Sequence, residues 1–339
     1  MRLKTLDTEK MSEKYRRASI DVGRREILIS YFPGSQQEKD FTEPANCSGL
    51  GRIRHFTRRI NTAWPSNPLP IDPACRALGL SVEQRFRAQV FQNAVCNWRC
   101  WYCFVDFDLL RASARHSKWT TSRQLVDLYL AEPKRPPMID LTGGQPDLTP
   151  EWVVWMMREI SHRGMEREVY LWSDDNLSND YFWRFLSDAD RAVIAQYPTY
   201  GRVCCFKGFN SESFHFNTQA DPASFNRQFE LMRRLIDLGI DLYAYVTLTT
   251  PSTKQVDSDM ETFVDRLQEL DANLPLRTVP LEIKLFSPVK HRMNDLKHQS
   301  LQNQYRVVQA WTRELERRFS TEARGLSIVD VRLRDRTSG

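Results

Sequence analysis

Between Arg87 and Val289 the chain alternates two textures. Short apolar runs rich in β-branched and aromatic residues predict strands at Gln89–Val95, Pro137–Thr142, Glu168–Ser173, Arg202–Lys207, Leu242–Thr249 and Val279–Phe286. Between them, apolar residues recurring at every third or fourth position predict helices at Ser122–Leu130, Pro150–Arg163, Ser178–Leu186, Pro222–Leu238 and Asp257–Leu270. Punctuation agrees with this reading. Thr149 is placed as an N-cap before Pro150, Asp221 precedes Pro222 in the same way, and Gly239 follows Leu238 where a left-handed residue ends a helix. Six strands with helices between them imply a parallel sheet with right-handed crossovers. The expected fold is α/β, a partial (β/α)6 TIM-like barrel over residues 87–290.

The flanks differ. Residues 1–86 show no sustained period and hold turn-rich pieces at Tyr31–Ser35 and Ala63–Pro73, so an irregular N-terminal extension is expected. Residues 291–339 predict a C-terminal extension, with a long charged helix at Ser300–Phe319 and a last strand at Leu326–Leu333.

Strands in such a sheet are normally unbroken apolar runs, because both faces are covered. Several here are not. Tyr243, Tyr245, Thr247 and Thr249 share one face of their strand and Leu242, Ala244, Val246 and Leu248 the other. Glu282 and Lys284 alternate with Leu281, Ile283 and Leu285, and Asp140 and Thr142 with Ile139 and Leu141. One consistent assignment turns the polar members into the barrel and the aliphatic ones under the helices. Such groups need hydrogen bonds to each other, to water or to a ligand. Glu282, Lys284 and Tyr245 are therefore candidates for a polar substrate pocket at the carboxyl ends of the strands, where barrels place their chemistry. A self-satisfied network that only stiffens the barrel is the other reading.

The 339 residues are 41% hydrophobic and 27% charged, enough for a sizeable core and against wholesale disorder. No apolar run approaches a membrane span, and the charged amino terminus lacks the apolar stretch of a secretion signal, so a cytoplasmic protein is expected. Residues 1–90 carry 16 Lys and Arg against 10 Asp and Glu. Within them Gly51–Trp64 is locally basic, which suits either a solvated arginine face or, less readily, a phosphate or nucleic-acid contact.

Seven cysteines in a protein of this kind point to metal or thiol chemistry rather than to disulfides. Cys96, Cys100 and Cys103 fall within eight residues, directly after the first strand of the α/β region. Three thiolates are soft ligands that suit an iron–sulfur cluster with one iron left open, whereas a structural zinc wants four closed ligands. Cys47, Cys75 and His116 are the remaining candidates for a fourth ligand, each singly placed or remote. No Ser-His-Asp or HExxH pattern is present.

The CxxxCxxC spacing of Cys96, Cys100 and Cys103, with Tyr102 before the last cysteine, resembles the radical S-adenosylmethionine (SAM) superfamily. Three further stretches follow in the family's order. Thr142-Gly143-Gly144-Gln145-Pro146 is similar to its GGEP motif, with Gln145 where Glu is commoner, and Trp172-Ser173-Asp174-Asp175-Asn176 ends the third strand. Phe206-Lys207-Gly208 is similar to a segment of glycyl-radical-enzyme activases, with Cys205 in place of an Asp.

The resemblance implies a 4Fe–4S cluster on the three cysteines and SAM on the open iron. It places Gly143, Gly144 and Gln145 at the methionyl amine, Asp174, Asp175 and Asn176 at the ribose or methionyl group, Lys207 at the carboxylate and Tyr102 at the adenine. Bland alternatives stand beside these roles: a common strand-to-helix turn, a cap for the helix at Ser178, a solvent-facing Lys207 and a rim-packing Tyr102. Cys205 is a candidate hydrogen-atom donor to a substrate radical, although a buried cysteine more often acts as a small hydrophobe. The expected partners are a small polar substrate (a sugar, nucleoside or amino-acid derivative) and an electron donor such as flavodoxin or ferredoxin. Two rival readings are an activase acting on a partner protein and a zinc-stapled module contacting nucleic acid.

Overall fold

The computed structural model describes residues 5–59 and 63–333. Along them run ten strands: β1 Ile20–Asp21, β2 Glu26–Ser30, β3 Gly51–Thr57, β4 Arg85–Phe91, β5 Ser117–Thr121, β6 Met138–Leu141, β7 Tyr170–Asp175, β8 Tyr200–Phe206, β9 Leu242–Thr247 and β10 Thr278–Leu281. Seven form one curled half-barrel sheet in the order β10-β9-β8-β7-β6-β4-β3. Neighbours from β4 to β10 pair in parallel through intervening helices, as the alternation of textures predicts. Among the described residues no helix is long and apolar enough to cross a membrane.

Side chains alternate across the sheet. Leu141, Leu171, Phe206 and Ala244 pack outward beneath the helices Glu151–His162, Ser224–Ile236 and Val256–Leu270. Phe86, Met138, Trp172, Val203 and Tyr243 face inward and fill the lower lumen. Burying each such large apolar side chain contributes roughly 1.5–3 kcal/mol. The helix Ile71–Leu78 seals the floor with Ile71, Ala74 and Cys75, joined by Ile328.

The flanks depart from expectation. The N-terminal segment is not irregular: it contributes the helix Thr8–Ser19, capped by Asp7, and two strands of a second sheet in the order β1-β2-β5, whose third strand comes from beyond the cysteine loop. It also contributes β3, which pairs antiparallel with β4 along its whole length and gives the barrel sheet a seventh strand. Leu326–Leu333 is not a strand. Its alternation serves the barrel floor: Ile328 and Val331 are buried, and the backbone is held by Arg277 Nε donating to the Val331 carbonyl at 2.7 Å.

Strand β10 is shorter than expected and ends at Leu281. Pro280, which lacks an N–H, is tolerated because β10 is an edge strand. Gln304, on the helix Asp295–Arg318, then accepts from the Ile283 N–H at 3.0 Å and donates to its carbonyl at 3.1 Å, drawing the backbone off the ladder.

Outside the lumen a charged triad braces the convex face. Arg202 is fully buried and pairs with Asp147 and with Asp175, the latter at 2.8 Å. Removing the cation strands two buried carboxylates. R202M is expected to lose about 3–5 kcal/mol in urea unfolding, the cost of breaking a buried ion pair from one side.

Candidate functional site

After Phe91 the chain leaves β4 and loops across the carboxyl ends of the sheet. The turn after β6 is pressed against this loop. Gly143 and Gly144 have φ of 76° and 65°, the left-handed region that glycine enters without strain. A Cβ on Gly144 would run into the carbonyl oxygens of Asn93 and Val95, and one on Gly143 into the Gln92 side chain. Gln145 N–H donates to Val95 O at 2.8 Å, and Asn93 Nδ2 donates back to Gln145 O at 3.3 Å and to Thr149 Oγ1 at 2.9 Å.

Beyond that contact lies the cysteine loop. Cys103 N–H donates to Cys100 O at 3.0 Å, closing a tight turn. Arg99 reaches back to the Cys96 carbonyl at 2.6 Å, and Arg292 takes the Cys103 and Val105 carbonyls at 2.7 and 2.8 Å. Asn217 ties the loop to the neighbouring strands. It accepts from Trp101 through its backbone and side-chain oxygens at 3.2 and 3.1 Å, and donates to Lys207 O at 2.9 Å and Thr249 O at 3.1 Å.

Electrostatics show what these braces gather. Burial pushes the Cys100 thiol up to about 12, with Cys103 and Cys96 adding to the rise and Lys207 opposing it. Burial alone would discharge Lys207, but Cys205, Tyr102, Cys100 and Cys96 surround it and hold its value above the usual lysine range. A cation beside these thiols favours their thiolate form. Three sulfur donors on one braced loop match the donor chemistry of an iron–sulfur cluster. Among the described residues, no three His, Cys, Asp or Glu side chains are placed to share a single metal ion, His116, Cys47 and Cys75 among them. Cys75 instead belongs to the barrel floor.

The other candidate residues separate into those at the mouth and those that brace it. Tyr102 is buried, its hydroxyl 3.0 Å from Thr247 Oγ1 above β9. Asn176 Nδ2 donates to Asn97 Oδ1 at 3.1 Å and lies 4.0 Å from Cys96 Sγ. Asp174 faces the lumen, accepting from Thr142 Oγ1. Burial raises its carboxyl, while Thr142, Arg54 and Lys207 draw it down. Cys205 lies on the same lumen face, whereas Cys204 packs outward.

Asp175, one residue along from Asp174, points the other way into the Arg202 triad. Gln145 Nε2 donates to it at 2.8 Å, while Gln145 Oε1 accepts from Asn176 N–H at 2.9 Å. A glutamate at position 145 would accept but not donate, so the amide suits this chain's bracing.

Asp140 and Tyr245 lie on the inward face of β6 and β9, whereas the strand expected to carry Glu282 and Lys284 ends before them. Tyr245 is buried, its hydroxyl accepting from Asn67 Nδ2 at 3.1 Å. Glu282 and Lys284 lie past the end of β10, where they pair at 3.2 Å and Tyr305 donates to Glu282 at 3.1 Å. Sequence reasoning missed Asn217 and the inward turn of two arginines, Arg52 and Arg54. On β3, Arg54 stands 3.5 Å from Asp140 and Arg52 is buried, so the basic segment turns these side chains inward rather than toward solvent. The alternation Arg52, Arg54, Phe56 against Ile53 and His55 was the available signal.

No protein-family model matches the chain, and no curated protein matches its sequence. Solved structures similar to it include Streptococcus suis SuiB bound to S-adenosylmethionine, at 14% identity and TM-score 0.37 over 52% of this chain and 36% of that one. SuiB bound to the precursor peptide SuiA matches at 13% identity and TM-score 0.39, over 53% and 36% of the two chains. SuiB alone matches at 15% identity and TM-score 0.37, with the same coverage. The chain thus spans 36% of the length of these structures.

Burial, followed by the charge of Asp174, pushes Asp140 up to about 8 from the ordinary aspartate value of 3.8. A carboxyl raised on folding contributes stability that is complete below its unfolded value and is lost as pH rises through the folded one. Unfolding free energy is therefore expected to fall between about pH 4 and pH 8, and D140N to flatten that part of the profile in denaturant titrations.

Proposed function

We propose that this chain is a radical SAM enzyme acting on a small polar substrate held in the lumen of its half-barrel. One observation carries the reading: a half-buried lysine, Lys207, lies near the thiols of a braced three-cysteine loop at the carboxyl ends of parallel strands. Cys96, Cys100 and Cys103 would hold a 4Fe–4S cluster. Such a cluster, once bound and reduced by a flavodoxin- or ferredoxin-type donor, supplies the electron that splits SAM into methionine and a 5′-deoxyadenosyl radical.

The chain's own residues bind, orient and shield. The Gly143–Gly144 turn leaves backbone free to seat the methionyl amine. Lys207 pairs with the methionyl carboxylate, while Tyr102 and Asn176 flank the nucleoside. Asp174, Tyr245 and Asp140 offer polar contacts to the substrate, and Cys205 would give its S–H hydrogen atom to the substrate radical, the thiyl left behind regaining an electron from the same flavodoxin- or ferredoxin-type donor and a proton from solvent. The apolar floor and the buried tryptophans Trp98 and Trp101 keep water from the mouth. Glu282 and Lys284 remain candidates only for substrate contact at the rim.

Inward-facing charge favours a small substrate over the protein surface an activase would engage. The inward arginines likewise remove the basic face that a nucleic-acid module would need.

Anaerobic reconstitution with iron and sulfide, followed by SAM and dithionite, is expected to yield 5′-deoxyadenosine, detected by chromatography. C96A, C100A and C103A should each abolish it along with the iron content. Stoichiometric zinc without iron or sulfide would overturn the proposal. K207A is expected to retain the cluster and weaken SAM binding roughly tenfold or more, the loss of a charged hydrogen bond.

A further inference from the structure

Two lumen arginines have no part in the reading above. Strand β3 sets Arg52 beside Val90 and Arg54 beside Ala88, and Val90 in turn adjoins Asp140 across β6. Arg54 is engaged with Asp140 at 3.5 Å. Arg52 is only 6% exposed, yet its Nε and Nη2 have no hydrogen-bond partner. Neither oxygen of Asp140 has one either.

The pattern of open donors is informative. Nε and Nη2 lie on one edge of the guanidinium, the edge that takes two oxygens of a carboxylate or phosphate in parallel. Leaving both donors dry costs the desolvation of each, which native interiors rarely tolerate. Burial, then the like charge of Arg54, press the Arg52 guanidinium below its usual proton affinity, a conflict an anion would relieve.

Aromatic rings build the rest of the cradle. Phe41 and Phe104 lie 5.4 and 5.6 Å from the Arg52 guanidinium, and Phe104 also lies 5.7 Å from that of Arg54. Because Phe104 directly follows Cys103, the open edge borders the cysteine loop. Lys207 follows β8, with β7, β6 and β4 between it and β3, so the two cations address different parts of the lumen.

We propose that Arg52, backed by Arg54, grips an anionic group of the substrate, a carboxylate or a phosphate, side-on, and that Asp140 receives a hydroxyl or ammonium proton next to it. This rests on the radical SAM reading for calling the ligand a substrate. The anion site itself stands on the geometry of β3.

Inorganic phosphate and acetate are the probes. Each is titrated by calorimetry into the full chain, before and after reconstitution with iron and sulfide. At least one is expected to bind saturably, and R52Q and R52K should each weaken it roughly tenfold or more, since lysine keeps the charge and loses the fork. Phosphate binding alone would assign a phosphorylated substrate and acetate binding alone a carboxylate.

Binding of neither probe to the unsubstituted chain overturns the proposal. So does R52K binding like the parent, or a matching loss of SAM affinity in R52Q, which would give Arg52 to the nucleotide's own carboxylate. Should the variants fail to fold, the Nε–H resonance of Arg52 in arginine-labelled protein decides: it moves on anion addition if the site is real and stays put if it is not. Anion binding in a chain that takes up no iron supports the arginine site while sinking the enzyme reading, so the two failures are told apart.

Discussion

The close approach of one backbone turn to another governs this molecule. Gly144 lies so near the carbonyls of Asn93 and Val95 that no side chain fits between them. The hydrogen bond from Gln145 N–H to Val95 O then locks the turn after β6 to the start of the cysteine loop. Because the two segments are joined in this way, the loop that carries the three thiols is anchored to the strand ends. Asn217 repeats the device from the other side, fastening the same loop to the ends of β8 and β9. A preorganised set of thiols needs such support, since loops alone place ligands loosely.

Period two across the sheet divides the buried charge into two separate networks. Asp174 points into the lumen toward Thr142, Arg54 and Lys207. Asp175, its neighbour, points out to Arg202 and Asp147. The outer triad serves the scaffold, Arg202 reaching both carboxylates through Nη2. The inner group faces the chamber, where Arg52 Nε and Nη2 stand without hydrogen-bond partners on an edge a ligand could take. One strand thus holds a structural aspartate and a site aspartate at consecutive positions.

Much of this was legible in the sequence, for definite reasons. The six parallel strands announce themselves through local texture, and the cysteine spacing through local chemistry. What escaped depends on distant pairing. GRIRHFT reads as a solvated basic face until β4 is seen to cover it, because nothing local says which side of the strand is buried. Leu326–Leu333 alternates like a strand but closes the barrel floor. Glu282 and Lys284 continue the alternation of β10 on paper, yet Gln304 captures the backbone at Ile283 and the ladder ends before them. The doublet Asp174-Asp175 could not be resolved into two roles without the buried Arg202 across from it.

The central claim is that three thiols leave one iron corner free for a sulfonium nucleotide. An anaerobic crystal structure of the reconstituted chain soaked with SAM tests it most directly. The account predicts a four-iron cluster on Cys96, Cys100 and Cys103, its last iron bound by the methionyl amine and carboxylate, with Lys207 beside the carboxylate and the Gly143–Gly144 turn beside the amine. A fourth side-chain ligand on that corner, with the nucleotide absent or bound elsewhere, would contradict it.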